Sequence, residues 1–362
     1  MGSGVRRVVP LTLGWEDLPK SVSVEGAPAA ERLREPVPAV LLECDGGWLL
    51  LDTGFNTALI RDLALRRRFH GDPDFTPVLP GPGEPLAEAL AGAGIELSAI
   101  HAVAVSHLHH DHAGGLKHFA GRVPVHAQRA ELEYGLSGSA EPEANDIFRI
   151  DFDDPRIDWR LAEGDTEIAP GVTAVLTAGH TPGHQSFVVS MDSRAGGGGF
   201  VFAFDAADLT ENIEREVSVG TRIGASAEQC AEQIRKLKRI AAQRGYRLVP
   251  GHDPVAWPAL TADLAAARGL ARPPWCAAPR ATVMIRAAPA VATVGTRARR
   301  ELRIAGLPGL AMGRLAARLA SRAVATRKSG VAPMIRKSAW FQHPLPRLMK
   351  STAPRTLPGA VQ

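Results

Sequence analysis

The chain has 362 residues, of which 45% are apolar and only 5% aromatic, so Leu, Val, Ile and Ala must fill most of its core. The net charge of +4 hides a split: residues 271–362 hold 17 basic residues and one acid, Glu301, for +16, while residues 1–270 hold 25 basic and 37 acidic residues, for −12. These proportions exclude a wholly disordered chain, a collagen-like chain and a disulfide scaffold.

In chain order, Met1–Trp15 has a short apolar stretch broken by Pro10 and Thr12 and followed by Glu16 and Asp17, too polar for a secretory signal. Val37–Leu42 and Trp48–Leu51 predict two strands joined by a turn at Asp45-Gly46-Gly47, the second running into Asp52-Thr53-Gly54. A short helix is expected over Leu86–Ala93, stopped by Gly94, and a strand over Ala102–Val105. The acidic stretch Tyr134–Asp154 is expected to be a long surface loop. Strands follow at Val172–Leu176, Ser186–Ser190 and Phe200–Phe204. Ala227–Arg244 is the clearest helix, with Ser226 and Gln229 as a capping box, Cys230, Ile234, Leu237 and Ala241 as an apolar stripe, and Gly245 as its stop. A strand at Tyr246–Val249 then leads into Gly251-His252-Asp253-Pro254. Strands and helices alternate with tight hairpins, which predicts layered α/β or α+β architecture built on more than one sheet.

Ser106-His107-Leu108-His109-His110-Asp111-His112-Ala113-Gly114-Gly115 follows a predicted strand directly. It places several imidazoles and a carboxylate within six residues, a ligand set suited to zinc and similar divalent ions. His107 and His109 share one side of an extended segment, and Asp111 and His112 can turn toward a second centre. His180, Asp205 and His252 each stand just past another predicted strand. In layered α/β folds, that edge is where sites are usually built. Singly each is weak, since an isolated His is more often structural; as an ordered series they point to a metal site.

This series, preceded by a strand ending in Asp-Thr-Gly, resembles the metallo-β-lactamase superfamily over roughly residues 5–265. Within it, the segments Ser106–Gly115, His180–Ser186, Asp205-Ala206 with Glu211-Asn212, and Gly251–Asp253 resemble N-acyl homoserine lactone lactonases. The resemblance implies an α/β, four-layer αββα sandwich spanning residues 1–268. It also implies two divalent metal ions, Zn2+ being the expected one. His107, His109 and His180 would hold the first ion, Asp111, His112 and His252 the second, and Asp205 would bridge both. Asp52 would orient a ligand through hydrogen bonds. His110 sits at a variable position of the motif and is read as a non-ligand, and His184 as structural or supporting. Such lactonases usually carry a Tyr three residues after the bridging Asp; here that residue is Asp208. Asp111, Asp205 and Asp208 are the carboxylates assigned to catalysis, with Asp111 or Asp208 moving a proton.

The implied reaction is hydrolytic opening of an acyl-homoserine lactone or related lactone, a quorum-quenching activity, with the small-molecule lactone as partner. Hydrolysis of another ester or a thioester, as in glyoxalase II, is the alternative, and nucleic-acid processing a more distant one. Phe55, Phe119, Phe148 and Trp159 are candidates for an apolar wall against an acyl chain. Three scattered cysteines without a CxxC fit a reducing cytoplasm, no run of 18 apolar residues predicts a membrane span, and a monomer or homodimer is expected. The Arg/Ala/Pro-rich tail, 269–362, has three readings. It is an arm for nucleic acid or anionic lipid, a disordered extension, or an out-of-frame translation; the last two together outweigh the first, because the resemblance stops near residue 265.

Overall fold

The computed structural model describes residues 4–267. The sequence readings placed on 269–362 lie outside the described residues. Twelve strands among the described residues form two sheets. They are β1 (Arg7–Pro19), β2 (Arg32–Cys44), β3 (Gly47–Leu51), β4 (Thr76–Val78), β5 (Ile100–Ala104), β6 (Pro124–Gln128), β7 (Asp158–Ala162), β8 (Thr166–Ala169), β9 (Val172–Leu176), β10 (Gln185–Ser190), β11 (Gly199–Phe202) and β12 (Arg247–Val249). The first sheet has the order β4-β1-β2-β3-β5-β6-β7, the second β12-β11-β10-β9-β8.

The alternation of side chains along each strand builds the layers. Val40, Leu42, Leu49 and Leu51 of the first sheet face Val172, Ala174, Phe187, Val189 and Phe202 of the second in one buried cluster. The opposite phase, Ala39, Leu41, Leu50 and Val103, packs under Leu86 and Leu90 of the helix Pro85–Gly92 and under Phe119 and Phe152. On the second sheet Val175, Val188 and Val201 take Ile234, Leu237 and Ala241 from the helix Ala227–Arg244. Helices therefore cover both outer faces, giving the expected αββα arrangement. That helix has the expected bounds, its Ser226–Gln229 capping box, and Gly245 at φ 66°.

Two expectations are corrected. Tyr134–Asp154 is not a surface loop: it contains short helices at Glu141–Ala144 and Arg149–Phe152, and Ile147, Phe148 and Phe152 are buried in the core. Each helix is a single turn, too short to show periodicity. The second concerns Phe200–Phe204: the strand ends at Phe202, and Phe204–Ala206 is a 3-10 turn. Phe204 has a φ of 47°, a strained value for a bulky residue, directly before Asp205.

Strand direction explains where the site falls. β3 and β5 are parallel neighbours, so Asp52 and Ser106 emerge at the same edge. β11 is parallel to β12, and both β9 and β11 are antiparallel to β10. The C-terminal ends of β9, β11 and β12 therefore also share one edge, from which His180, Asp205 and His252 follow. The Ser106 carbonyl accepts from Gln185 N (2.9 Å), joining the two sheets at this edge.

Candidate metal centre

The seven side chains named from sequence converge in two groups. In the first, His109 Nδ1 lies 2.9 Å from both His107 Nε2 and His180 Nε2. Asp205 Oδ2 is 3.3 Å from His180 Nε2 and 3.7 Å from His107 Nε2. In the second, His112 Nε2 lies 2.9 Å from Asp111 Oδ2, and His252 Nε2 lies 3.8 Å from the same oxygen. Asp205 Oδ1 is 3.3 Å from His112 Nε2 and 3.1 Å from His252 Nε2. The two oxygens of Asp205 thus face different groups.

These donors fit a metal. Four ligands about 2.0–2.1 Å from a zinc ion stand about 3.3–3.4 Å from one another, close to the spacings of the first group. Mutual hydrogen bonding does not satisfy the set: one Nδ1 cannot serve two imidazoles fully, and the buried His112 Nε2, although 2.9 Å from Asp111 Oδ2, is not aligned with it for a hydrogen bond. The electrostatics differ between the two groups. Burial, reinforced by neighbouring imidazoles, pushes His107 and His109 well below the usual histidine range, and burial also lowers His180, so all three are neutral donors. Burial would likewise lower His112 and His252, but Asp111 and Asp205 outweigh it and raise both. Burial opposes ionisation of Asp205, yet the surrounding histidines hold its carboxyl well below the usual range.

The ring nitrogens turned away from the cluster are held by neighbours. His180 Nδ1 is 3.1 Å from the Thr221 carbonyl and His252 Nδ1 2.9 Å from the Pro36 carbonyl. His112 Nδ1 is 2.7 Å from Asp52 Oδ2, and His107 Nδ1 is 2.9 Å from Ser106 Oγ. Asp52 also accepts from Ser106 N (2.6 Å) and Ser106 Oγ (2.7 Å), and sits at φ 59°. Strain at a polar residue held by so many bonds marks a position set by the site. Close packing explains the glycine pair after the motif: a Cβ on Gly114 would lie 2.0 Å from Asn56 N, and one on Gly115 2.5 Å from the Thr53 carbonyl.

The family model for the Metallo-beta-lactamase superfamily matches residues 32–252. The chain belongs to that superfamily. An N-acyl homoserine lactonase of a Bacillus species is 33% identical over 225 residues, covering 62% of this chain and 83% of that one. The N-acyl homoserine lactonase AttM of Azorhizobium caulinodans is 30% identical over 230 residues, covering 62% and 84%. Among solved structures, a mutant of Bacillus thuringiensis AiiA with N-decanoyl-L-homoserine at its active site is 27% identical. It covers 69% of this chain and 94% of its own, with a TM-score of 0.60. An N-acyl homoserine lactone hydrolase with the product N-hexanoyl-L-homoserine at its catalytic metal center gives the same identity, coverage and TM-score. Family membership, with every expected donor position filled, makes this chain a metal-dependent hydrolase.

A cavity of 290 Å³ opens beside the donors and is lined by His109, Asp111, His180, Asp205 and His252 together with Asp208. Asp208 is buried, its Oδ1 has no hydrogen-bond partner, and burial with Asp205 nearby raises it well above the usual carboxylate range. Neither Tyr134 nor Tyr246 lines this cavity. His184 lies beside the donors rather than among them: its Nδ1 is 2.8 Å from Thr177 Oγ1, and its ring is 5.2 Å from that of His107.

The aromatic wall is another correction. Phe55, Phe119, Phe148 and Trp159 do not line the cavity; Phe119 and Phe148 are core residues, and Phe55 stacks on His110. Leu18, Val22, Phe75 and Ile223 supply the apolar wall instead. They come from the N-terminal strand, the single-turn helix Lys20–Ser23 and loops without a motif, so no local pattern marks them.

Sequence reasoning also missed three buried carboxylates. Glu131 accepts from Leu108 N (2.9 Å), Thr181 Oγ1 (2.7 Å) and Gly183 N (2.9 Å), tying the His107 and His180 loops together. Glu16 and Glu35 are paired across β1 and β2 and line the cavity. Burial pushes Glu35 up to about 7, although Ser23 Oγ donates to it at 2.7 Å. The one signal for Glu16 was its place, two residues before buried Leu18, on the inward phase of a strand.

Proposed function

We propose that this chain is a dinuclear hydrolase that opens the ring of N-acyl homoserine lactones or closely related lactones. His107, His109 and His180 would hold one ion, Asp111, His112 and His252 the other, and Asp205 would bridge. The observation that carries the dinuclear reading is the division of the Asp205 oxygens between the two groups. Two divalent ions held there, zinc being expected, would supply an activated water and a polarised ester carbonyl. The named relatives, lactonases at 30–33% identity, support the lactone as substrate.

The chain's own residues supply the rest. Asp52 and Ser106 hold His112 and His107 in the orientation that aims Nε2 at the centre. Burial strengthens every electrostatic contact within the cluster. When the ring C–O bond breaks, the departing oxygen needs a proton. Asp208 faces the same cavity with a buried, partner-free Oδ1, and we assign it the delivery of that proton. It stands where the lactonases this chain resembles usually carry a Tyr. Leu18, Val22, Phe75 and Ile223 offer the acyl arm an apolar surface. Residues 1–268 are proposed to be the hydrolase domain, so truncation after Ala267 keeps the activity.

The test is a panel of lactones, thioesters and β-lactams, assayed with metal content measured on the same sample. Lactone turnover by protein holding two ions per chain is the expected outcome. Thioester turnover without lactone turnover overturns the reading.

A further inference from the structure

Glu211-Asn212, one of the segments that resemble the lactonases, takes no part in the chemistry above. Asn212 lies on the helix Thr210–Arg215, just after the turn that carries Asp205 and Asp208, and is fully buried. Its Oδ1 accepts at 2.8 Å from Leu209 N, the residue next to Asp208. Its Nδ2 donates to three carbonyls, Ser23 at 3.0 Å, Val217 at 3.1 Å and Ser218 at 3.2 Å. Carbonyls only accept, so a side-chain amide, with an acceptor and two N–H donors on one short arm, is what serves all four partners.

These bonds join two segments that wall the cavity. The first is the single-turn helix Lys20–Ser23, too short to hold its own position. The Val22 carbonyl accepts from Gly220 N (2.8 Å) and Thr221 N (3.1 Å), and Glu25 N donates to the Ser218 carbonyl (2.9 Å). Lys20 Nζ lies 2.8 Å from Glu211 Oε2, and Arg222 is ion-paired with Glu25. The second segment, 217–223, is tied to the His180 loop at its far end, where Ile223 N donates to the Gly179 and His180 carbonyls. Leu18, Val22 and Ile223, three of the four residues of the apolar wall, thus stand on or beside segments that meet at Asn212.

We propose that Asn212 is the positioning residue of the acyl-arm wall. It fixes the helix Lys20–Ser23 and the start of segment 217–223 against the Asp205–Asp208 turn, so that the apolar surface and the reacting groups keep one spacing. The proposal rests on the lactone reading above. None of the Asn212 hydrogen bonds goes to a metal donor. The Ile223 ties to the His180 loop do not pass through Asn212, so its loss moves the wall more than the centre. A substrate with a long arm feels that movement, and one with a short arm feels it much less.

The test uses the metal-loaded full chain and two substrates, N-decanoyl- and N-acetyl-homoserine lactone, which share the ring and the amide and differ in the arm. Asn212→Asp keeps the shape and Oδ1 but offers no N–H pair to the three carbonyls. The ratio of kcat/KM for the long arm over the short one should fall about 10-fold, carried mainly by KM, with metal per chain unchanged. A general loss of stability lowers both substrates together and leaves that ratio alone. Glu211→Gln breaks only the partly exposed tie to Lys20 and should lower the same ratio about 2–3-fold. A ratio equal to the parent's in Asn212→Asp overturns the proposal. So does loss of an ion with an equal fall on both substrates, which would make Asn212 a support of the metal centre. Where Asn212→Asp does not fold, the Glu211→Gln ratio decides, and a ratio equal to the parent's there overturns the proposal. Absence of any lactone turnover by the fully metallated parent strikes the lactone reading itself, and the proposal with it.

Discussion

Asp52 Oδ2 stands 2.7 Å from His112 Nδ1, and neither side chain is exposed. The contact fixes the imidazole tautomer, because Nδ1 must carry the proton for Nε2 to offer a lone pair. Asp52→Asn removes the charge that polarises this ring while keeping its volume. Metal affinity should fall about 10–100-fold, read by competition with a chelator. Affinity equal to the parent would show that the contact is only structural.

The same logic was partly legible in the sequence. The ligand positions are short runs of rare residue types at strand ends, so each could be located without long-range information. The helix Ala227–Arg244 was legible because its cap, stripe and stop are local. β1 was not: its buried residues change phase around Pro10-Leu11 and Leu13-Gly14, and a register shift at Thr12/Gly14 breaks the alternation. Glu131 was hidden for a different reason. An acid in the first turn of a helix looks ordinary, and only tertiary structure brings Leu108, Thr181 and Gly183 to it.

Glu131 therefore gives a sharp stability prediction. Glu131→Ala removes three hydrogen bonds and leaves buried donors unpaired, at a cost of about 2–4 kcal/mol. For a domain of this size, the thermal midpoint should fall by roughly 4–16 °C. Glu131→Gln, which keeps one accepting oxygen, should lose less. An unchanged midpoint in the Ala variant contradicts the loop-tying role.

Asp208 is predicted to act on the chemical step rather than on metal binding. Asp208→Asn should lower kcat about 100-fold or more, the usual scale for a lost general acid, with metal per chain unchanged. A kcat within a few fold of the parent assigns the proton to another group.

Asp151 supplies a pH-dependent stability. Burial pushes its carboxyl up to about 7 from 3.8, although Asn56 Nδ2 donates to Oδ1 at 2.7 Å; Oδ2 has no partner. Between those two values the folded chain holds a proton that the unfolded chain has released. This residue's contribution to stability therefore falls as pH rises through that window and levels off above 7. Asp151→Asn removes the effect. Its stability relative to the parent should grow by about 2–3 kcal/mol between pH 5 and pH 8, measured by denaturant unfolding. A constant difference across that range contradicts the account.

The most direct test of the centre is Asp205, because its two oxygens divide between the two histidine groups. Metal content and lactone hydrolysis are measured on one sample each of the parent and Asp205→Ala. The parent should hold two ions per chain and open the ring. The variant should lose metal and activity together. An Asp205→Ala protein that keeps both ions and turns over lactone at the parent's rate would contradict the bridged dinuclear centre.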